Sequence, residues 1–76
     1  NKQEIIDVKY SSNKLMLTAN KPGTINLVDL NGRVISQYKV VESEATYVQT
    51  QSLPKGVMLL KFNSEKESIT KKLFIR

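Results

Sequence analysis

The sequence predicts a small all-β sandwich with an immunoglobulin-like arrangement of about seven antiparallel-dominated strands. Three observations point there. Apolar residues recur with a period close to two almost throughout, as in strands buried on one face. Turn signals separate these runs at spacings of roughly ten residues, the rhythm of sandwiches and small barrels. The chain has 76 residues, 39% of them hydrophobic and 25% charged. That is enough for one core and too little for two, because a chain this short buries only roughly 60% of its unfolded surface. Residues 1–76 therefore form one domain, and a five-stranded barrel is the structural alternative.

The first run, Ile5 to Tyr10, places Ile6, Val8 and Tyr10 on one face, and Ser11-Ser12-Asn13 turns the chain. Residues 1–13 are thus a boundary segment or the first strand. Lys14 to Ala19 follows, with Leu15, Leu17 and Ala19 pointing one way. In the turn Asn20-Lys21-Pro22-Gly23, Pro presets φ and Gly is expected to take the positive φ of a type II turn. Thr24 to Leu30 and Arg33 to Val41 are joined by Asn31-Gly32, the strongest local signal for a two-residue type I′ hairpin.

Glu42-Ser43 marks the next turn, and in the run Glu44 to Thr50 the residues Thr46, Val48 and Thr50 share a face. Ser52-Leu53-Pro54-Lys55-Gly56 reads as an ordered corner, since Pro cannot join a ladder and Gly permits unusual dihedrals. Val57 to Phe62 is apolar on both faces for three residues, which predicts a central strand. A polar loop, Asn63 to Lys66, leads into the closing strand Glu67 to Arg76, where Ile69, Leu73 and Ile75 are in phase and Lys71 interrupts them. No segment reads as a helix.

Composition excludes much chemistry. There is no Cys and no His, so thiolate or imidazole zinc sites, disulfides and Ser/His/Asp or Cys/His machinery cannot be assembled. The longest apolar run, Gly56 to Leu60, falls far short of the ~20 residues that span a bilayer. The chain opens Asn1-Lys2-Gln3 without an initiator Met or a signal-peptide pattern, as expected of a soluble piece of a longer protein. The carboxylate pairs Glu42/Glu44 and Glu65/Glu67 flank turns, where acid–base catalysis lacks the cleft it needs. Asp29 has no neighbours at calcium-ligand spacing and is expected to bond to turn amides. Nothing calls for a metal or a cofactor, and the expectation is a protein that is not an enzyme.

The net charge is +5, and residues 55–76 carry +4 of it through Lys55, Lys61, Lys66, Lys71, Lys72 and Arg76 against Glu65 and Glu67. A basic end attracts polyanions. It equally serves as a solubilising guard on an edge strand. Nucleic-acid binders add exposed aromatics beside such a charge. Here Tyr10 and Phe62 fall in core phase, and only Phe74, between Lys72 and Arg76, reads as an outward aromatic; nucleic acid is therefore not the expected partner.

Three segments together carry a resemblance: Asp29-Leu30-Asn31-Gly32-Arg33-Val34, then Leu53-Pro54-Lys55-Gly56-Val57-Met58 running on to Phe62, then Thr70-Lys71-Lys72-Leu73-Phe74-Ile75-Arg76. Their order and spacing over about residues 14–76 resemble the type IX secretion system C-terminal sorting domain of Bacteroidetes bacteria. Members show a D-L-x-G-R hairpin, an L-P-x-G-x-Y-x-V corner and strand, and a short basic-hydrophobic tail. Met58 stands where members carry an aromatic, and Tyr10-Ser11-Ser12-Asn13 stands in place of a Pro-rich opening.

The resemblance implies a non-catalytic secretion signal read by the outer-membrane translocon. The cargo crosses the periplasm and reaches the outer-membrane surface or the medium, and a cysteine sortase commonly removes the domain. Family recognition determinants map onto Lys71, Lys72, Leu73, Phe74, Ile75 and Arg76. Asp29, Asn31, Gly32, Arg33, Leu53, Pro54 and Gly56 map onto the fold-making motifs. Physically, a terminal strand with an uncovered edge can be paired by a partner, and removal of Lys72–Arg76 is expected to abolish export while leaving most of the sandwich folded. The alternative is an accessory immunoglobulin-like surface module binding protein or carbohydrate. Oligomeric state has no signature in the sequence.

Overall fold

The computed structural model, which describes residues 5–76, resolves the apolar alternation into seven strands. They are β1 (Ile6–Ser11), β2 (Lys14–Ala19), β3 (Gly23–Val28), β4 (Val34–Val40), β5 (Ala45–Gln49), β6 (Gly56–Asn63) and β7 (Ser68–Ile75). The one helical element among the described residues is a three-residue 3-10 turn, Thr50–Ser52, which takes Thr50 out of the strand predicted for it. The expectations for the first residues fall partly outside the described region: Asn1 to Glu4 lie beyond it, and Ile6–Ser11 is a strand.

Two antiparallel sheets form, one in the order β1-β2-β5 and the other β4-β3-β6-β7. This is a sandwich and not a barrel. Relative to an immunoglobulin constant-type domain, the fourth strand has changed sheets, pairing with β3. β6 lies between β3 and β7, as its two-sided apolar run predicts.

Each sheet turns one face inward. The three-stranded sheet contributes Ile6, Leu15, Leu17, Ala19 and Val48 to the core. The four-stranded sheet contributes Ile25, Leu27, Val40, Met58, Leu60 and Phe62, and β7 adds Leu73 and Ile75. Among the described residues no polar or charged residue is buried. Burying a Leu, Ile, Phe or Met side chain stabilises a fold by about 1.5–3 kcal/mol, so this single layer of side chains is what holds the sheets together.

Three local expectations need correction. Gly23 does not have a positive φ; it opens β3 in an extended conformation. Glycine is required there because an added Cβ would lie 2.4 Å from the Asn63 carbonyl oxygen and 2.8 Å from the Phe62 ring. The Asn31-Gly32 connection is not a two-residue type I′ turn, since Asn31 is not in the positive-φ region that type I′ demands of both central residues. The two-residue hairpin is instead Ser12-Asn13, where Ser11 pairs with Lys14 and Asn13 takes φ 62°. Finally, Tyr10 has the inward phase but is 56% exposed, because it lies near the end of an edge strand and leans toward β7.

Candidate recognition surface

The β6–β7 hairpin is set by its loop. The Ser64 N–H donates to the Glu67 carbonyl (2.8 Å), and the Glu67 N–H donates to Ser64 Oγ (3.2 Å). From that bonded pair the antiparallel ladder alternates, so Ile69, Lys71 and Leu73 direct their backbone groups to β6. Ser68, Thr70, Lys72 and Phe74 direct theirs outward. β7 is the last strand of its sheet, so these groups line an edge. One of them is occupied: the Phe74 N–H donates to the Tyr10 hydroxyl at 3.3 Å.

The six residues predicted for recognition divide between two faces. Leu73 and Ile75 are buried, and Lys71 shares their phase and is half-buried. A charge pointing inward on an edge strand hinders pairing with stray strands. Lys72, Phe74 and Arg76 are exposed on the outer face, where Lys72 lies opposite Leu59 and Phe74 opposite Val57. Beside them Tyr10, Ser11, Asn13, Thr50, Phe74 and Arg76 line an open cleft of about 480 Å³ between the β1–β2 turn and the end of β7.

The turn before β4 is built by Asp29. Its Oδ1 accepts the N–H groups of Asn31 and Arg33, both at 2.9 Å, and its Oδ2 accepts Arg33 Nε at 3.1 Å. The Gly32 N–H donates to the Asp29 carbonyl (3.0 Å) and the Asp29 N–H to the Arg33 carbonyl (3.0 Å). Gly32, at φ 86°, supplies the left-handed residue of a three-residue loop. The Arg33 amide does most to hold the Asp29 carboxyl below its ordinary 3.8; desolvation opposes it, and the Arg33 side chain and the Asn31 amide add to the lowering. The turn-amide role expected for Asp29 is the one it has.

At the corner, Leu53 is buried and its N–H donates to the Thr50 carbonyl (3.1 Å). Pro54 is exposed, and Gly56 opens β6 at φ 109°, opposite Ile75. The register Val34–Val28–Leu59–Lys72 runs across the sheet, and beyond that row lie the Asp29–Arg33 turn, the Leu53–Gly56 corner and the end of β7. Three segments far apart in sequence thus meet at one end of the four-stranded sheet.

Two exposed aromatics have no clear outward signature in the sequence. Tyr10 was in core phase, and Tyr47, 63% exposed, was legible only as the residue between inward Thr46 and Val48. Among the described residues no group of His, Cys, Asp or Glu is placed to hold a metal ion, and no helix is long and apolar enough to cross a membrane.

A search of curated proteins finds no match to the chain. A scan against protein families matches residues 3–76 to the secretion system C-terminal sorting domain, a span that takes in β1. Such a domain acts as a signal, which implies interaction with the secretion machinery and export ending in secretion or surface display. The chain belongs to the secretion system C-terminal sorting domain family, the C-terminal sorting signals of type IX secretion.

Proposed function

We propose that the secretion machinery reads this domain chiefly through β7, with Lys72, Phe74 and Arg76 as the contacting side chains. Leu73 and Ile75 hold the strand in place by their burial. The observation that carries this reading is the position of β7 as a sheet edge with those three side chains exposed on one face. Backbone groups along an edge give affinity and alternate side chains give selectivity. Phe74, 57% exposed between two cations, suits an apolar anchor with charge steering around it. In this reading the cargo passes through the periplasm, an outer-membrane translocon component binds the domain, and a sortase then removes it at the surface.

The test fuses residues 1–76 to the C-terminus of a periplasm-targeted reporter in a bacterium with type IX machinery. Surface exposure and the reporter's C-terminal mass are then measured. Surface reporter lacking the domain supports recognition and sortase cleavage. Surface reporter retaining it keeps recognition and removes the sortase step. A folded reporter confined to the periplasm overturns the proposal. That last outcome favours an accessory surface module binding protein or carbohydrate, a reading supported by Tyr10 and Phe74 lining the same cleft.

A further inference from the structure

We propose that the whole outer face of the four-stranded sheet, and not β7 alone, is a docking surface for an acidic protein face of the secretion machinery. This rests on the reading of the domain as a sorting signal and extends it to β4 and β6. β3, β4, β6 and β7 contain no Asp or Glu. Their outer side carries Lys39, Lys61 and Lys72, with Arg76 just beyond β7, all exposed and none in a salt bridge among the described residues. The acids sit elsewhere: Asp29 is bound into its turn, and Glu42, Glu44, Glu65 and Glu67 lie in loops.

One end of this face is apolar. Val57 lies opposite Phe74, and Leu59 lies between Val28 and Lys72. Val28 is 3% exposed yet stands outside the core cluster, since strand alternation turns it away from inward Leu27 and under this outer row. An apolar patch bordered by polar and charged groups is the anatomy of a protein interface. The opposite sheet differs in charge: around Met16 and Tyr47 its outer side mixes Asp7 with Lys9 and Lys14.

The chemistry of the face selects the occupant. Its cations are spread over three strands, which matches an acidic surface of similar breadth and rejects a basic one. A membrane-binding face needs apolar groups that reach beneath the headgroups over a broad area, whereas here the exposed Val34, Val57 and Phe74, with half-buried Leu59 and buried Val28, are confined to one end of a face whose remainder carries Asn26, Gln37, Asn63, Ser68 and Thr70. Single-stranded nucleic acid needs successive stacking platforms, and Phe74 is the one aromatic on this face.

The test uses the reporter fusion with Lys39→Glu and Lys61→Glu together, Lys39 separated from β7 by two strands and Lys61 on the strand beside it, opposite Thr70. Lys9→Glu with Lys14→Glu, on the other sheet, makes the same change in net charge. The expected result is about a tenfold loss of surface reporter for the first pair and little change for the second, with both variants melting like the wild type. If the first pair destabilises the fold, Lys39→Gln with Lys61→Gln replaces it, and export at the wild-type level then overturns the proposal.

Equal losses from the two sheets would reduce the effect to net charge and overturn it, as would no loss from either. Wild-type reporter that is never exported would overturn the sorting reading itself, a failure distinct from these. Sedimentation of the 76-residue chain with phosphatidylglycerol vesicles, lost in the Lys39→Glu/Lys61→Glu variant, would assign the face to lipid and overturn the protein partner.

Discussion

Leu73 and Ile75, on one face of β7, are exposed by only 3% and 1%, whereas Phe74 between them is 57% exposed. Neighbours in sequence therefore do unrelated work. The inner pair completes a core shared with Met58 and Leu60, and the outer group presents charge and a ring to solvent. Resemblance assigns recognition to one block of six residues. The structure divides that block by alternation, so any experiment that treats it as a unit mixes loss of fold with loss of contact.

The largest effect would come from removing Lys72 to Arg76. The sequence suggests that the sandwich survives this truncation; the burial of Leu73 and Ile75 argues that it does not. Each such residue contributes about 2–5 kcal/mol against truncation to Ala. A small domain has only about 5–15 kcal/mol in all. The truncated chain should lose its cooperative thermal transition, and an intact transition would show that β7 is dispensable to the core. Leu73→Ala alone should cost about 2–5 kcal/mol by denaturant titration.

Backbone positions at the two ends of the four-stranded sheet give a smaller contrast. At Gly32 a Cβ meets nothing within 4 Å, so Gly32→Val is penalised by its φ of 86° alone. A cost of about 1–2 kcal/mol is expected, read as a lower melting temperature with the fold intact. Gly23→Ala has an ordinary φ but a Cβ contact with backbone at 2.4 Å, and should cost more than Gly32→Ala. The reverse order would mean that β3 and β6 separate easily at that end.

Outer-face substitutions should scarcely move stability. Phe74→Ser and Lys72→Glu are expected to stay within about 0.5 kcal/mol of wild type, as exposed sites do, while surface export of the fused reporter falls sharply. A large drop in melting temperature for Phe74→Ser would place the ring in the fold and weaken the division of β7.

Period and turn residues were sufficient to find the strands, because alternation is a local property that burial directly enforces. The fold class followed. What stayed hidden depends on which strands become neighbours. Lys39 gave no sign of sharing a face with Lys61 and Lys72, since the basic excess is visible in sequence only near residues 55–76. Gly23 reads in sequence as a turn residue, and only the approach of the Asn63 carbonyl in the folded sheet shows why it must be glycine. Tyr10 failed differently: its phase is inward, but phase says nothing about how near a residue lies to the sheet's corner. At Asn31-Gly32 the dipeptide marked the hairpin while Asp29 decided its length, capturing two amides and making a wider loop the better bonded one.

That capture sets the smallest prediction. Asp29 is lowered from its ordinary 3.8 because its hydrogen bonds, first of all from the Arg33 amide, favour the charged form. A carboxyl with a lower pKa in the folded state contributes stability that is complete above the unfolded value. As pH falls, the unfolded chain takes up the proton first, and the contribution drains away between the unfolded and folded values. Wild type should therefore lose melting temperature on acidification below about pH 4. Asp29→Asn should lower the melting temperature slightly at neutral pH and flatten that acid limb, since the amide cannot be protonated in this range. Equal steepness in both proteins would show that the turn draws nothing from the carboxylate charge and that the amide geometry alone holds it.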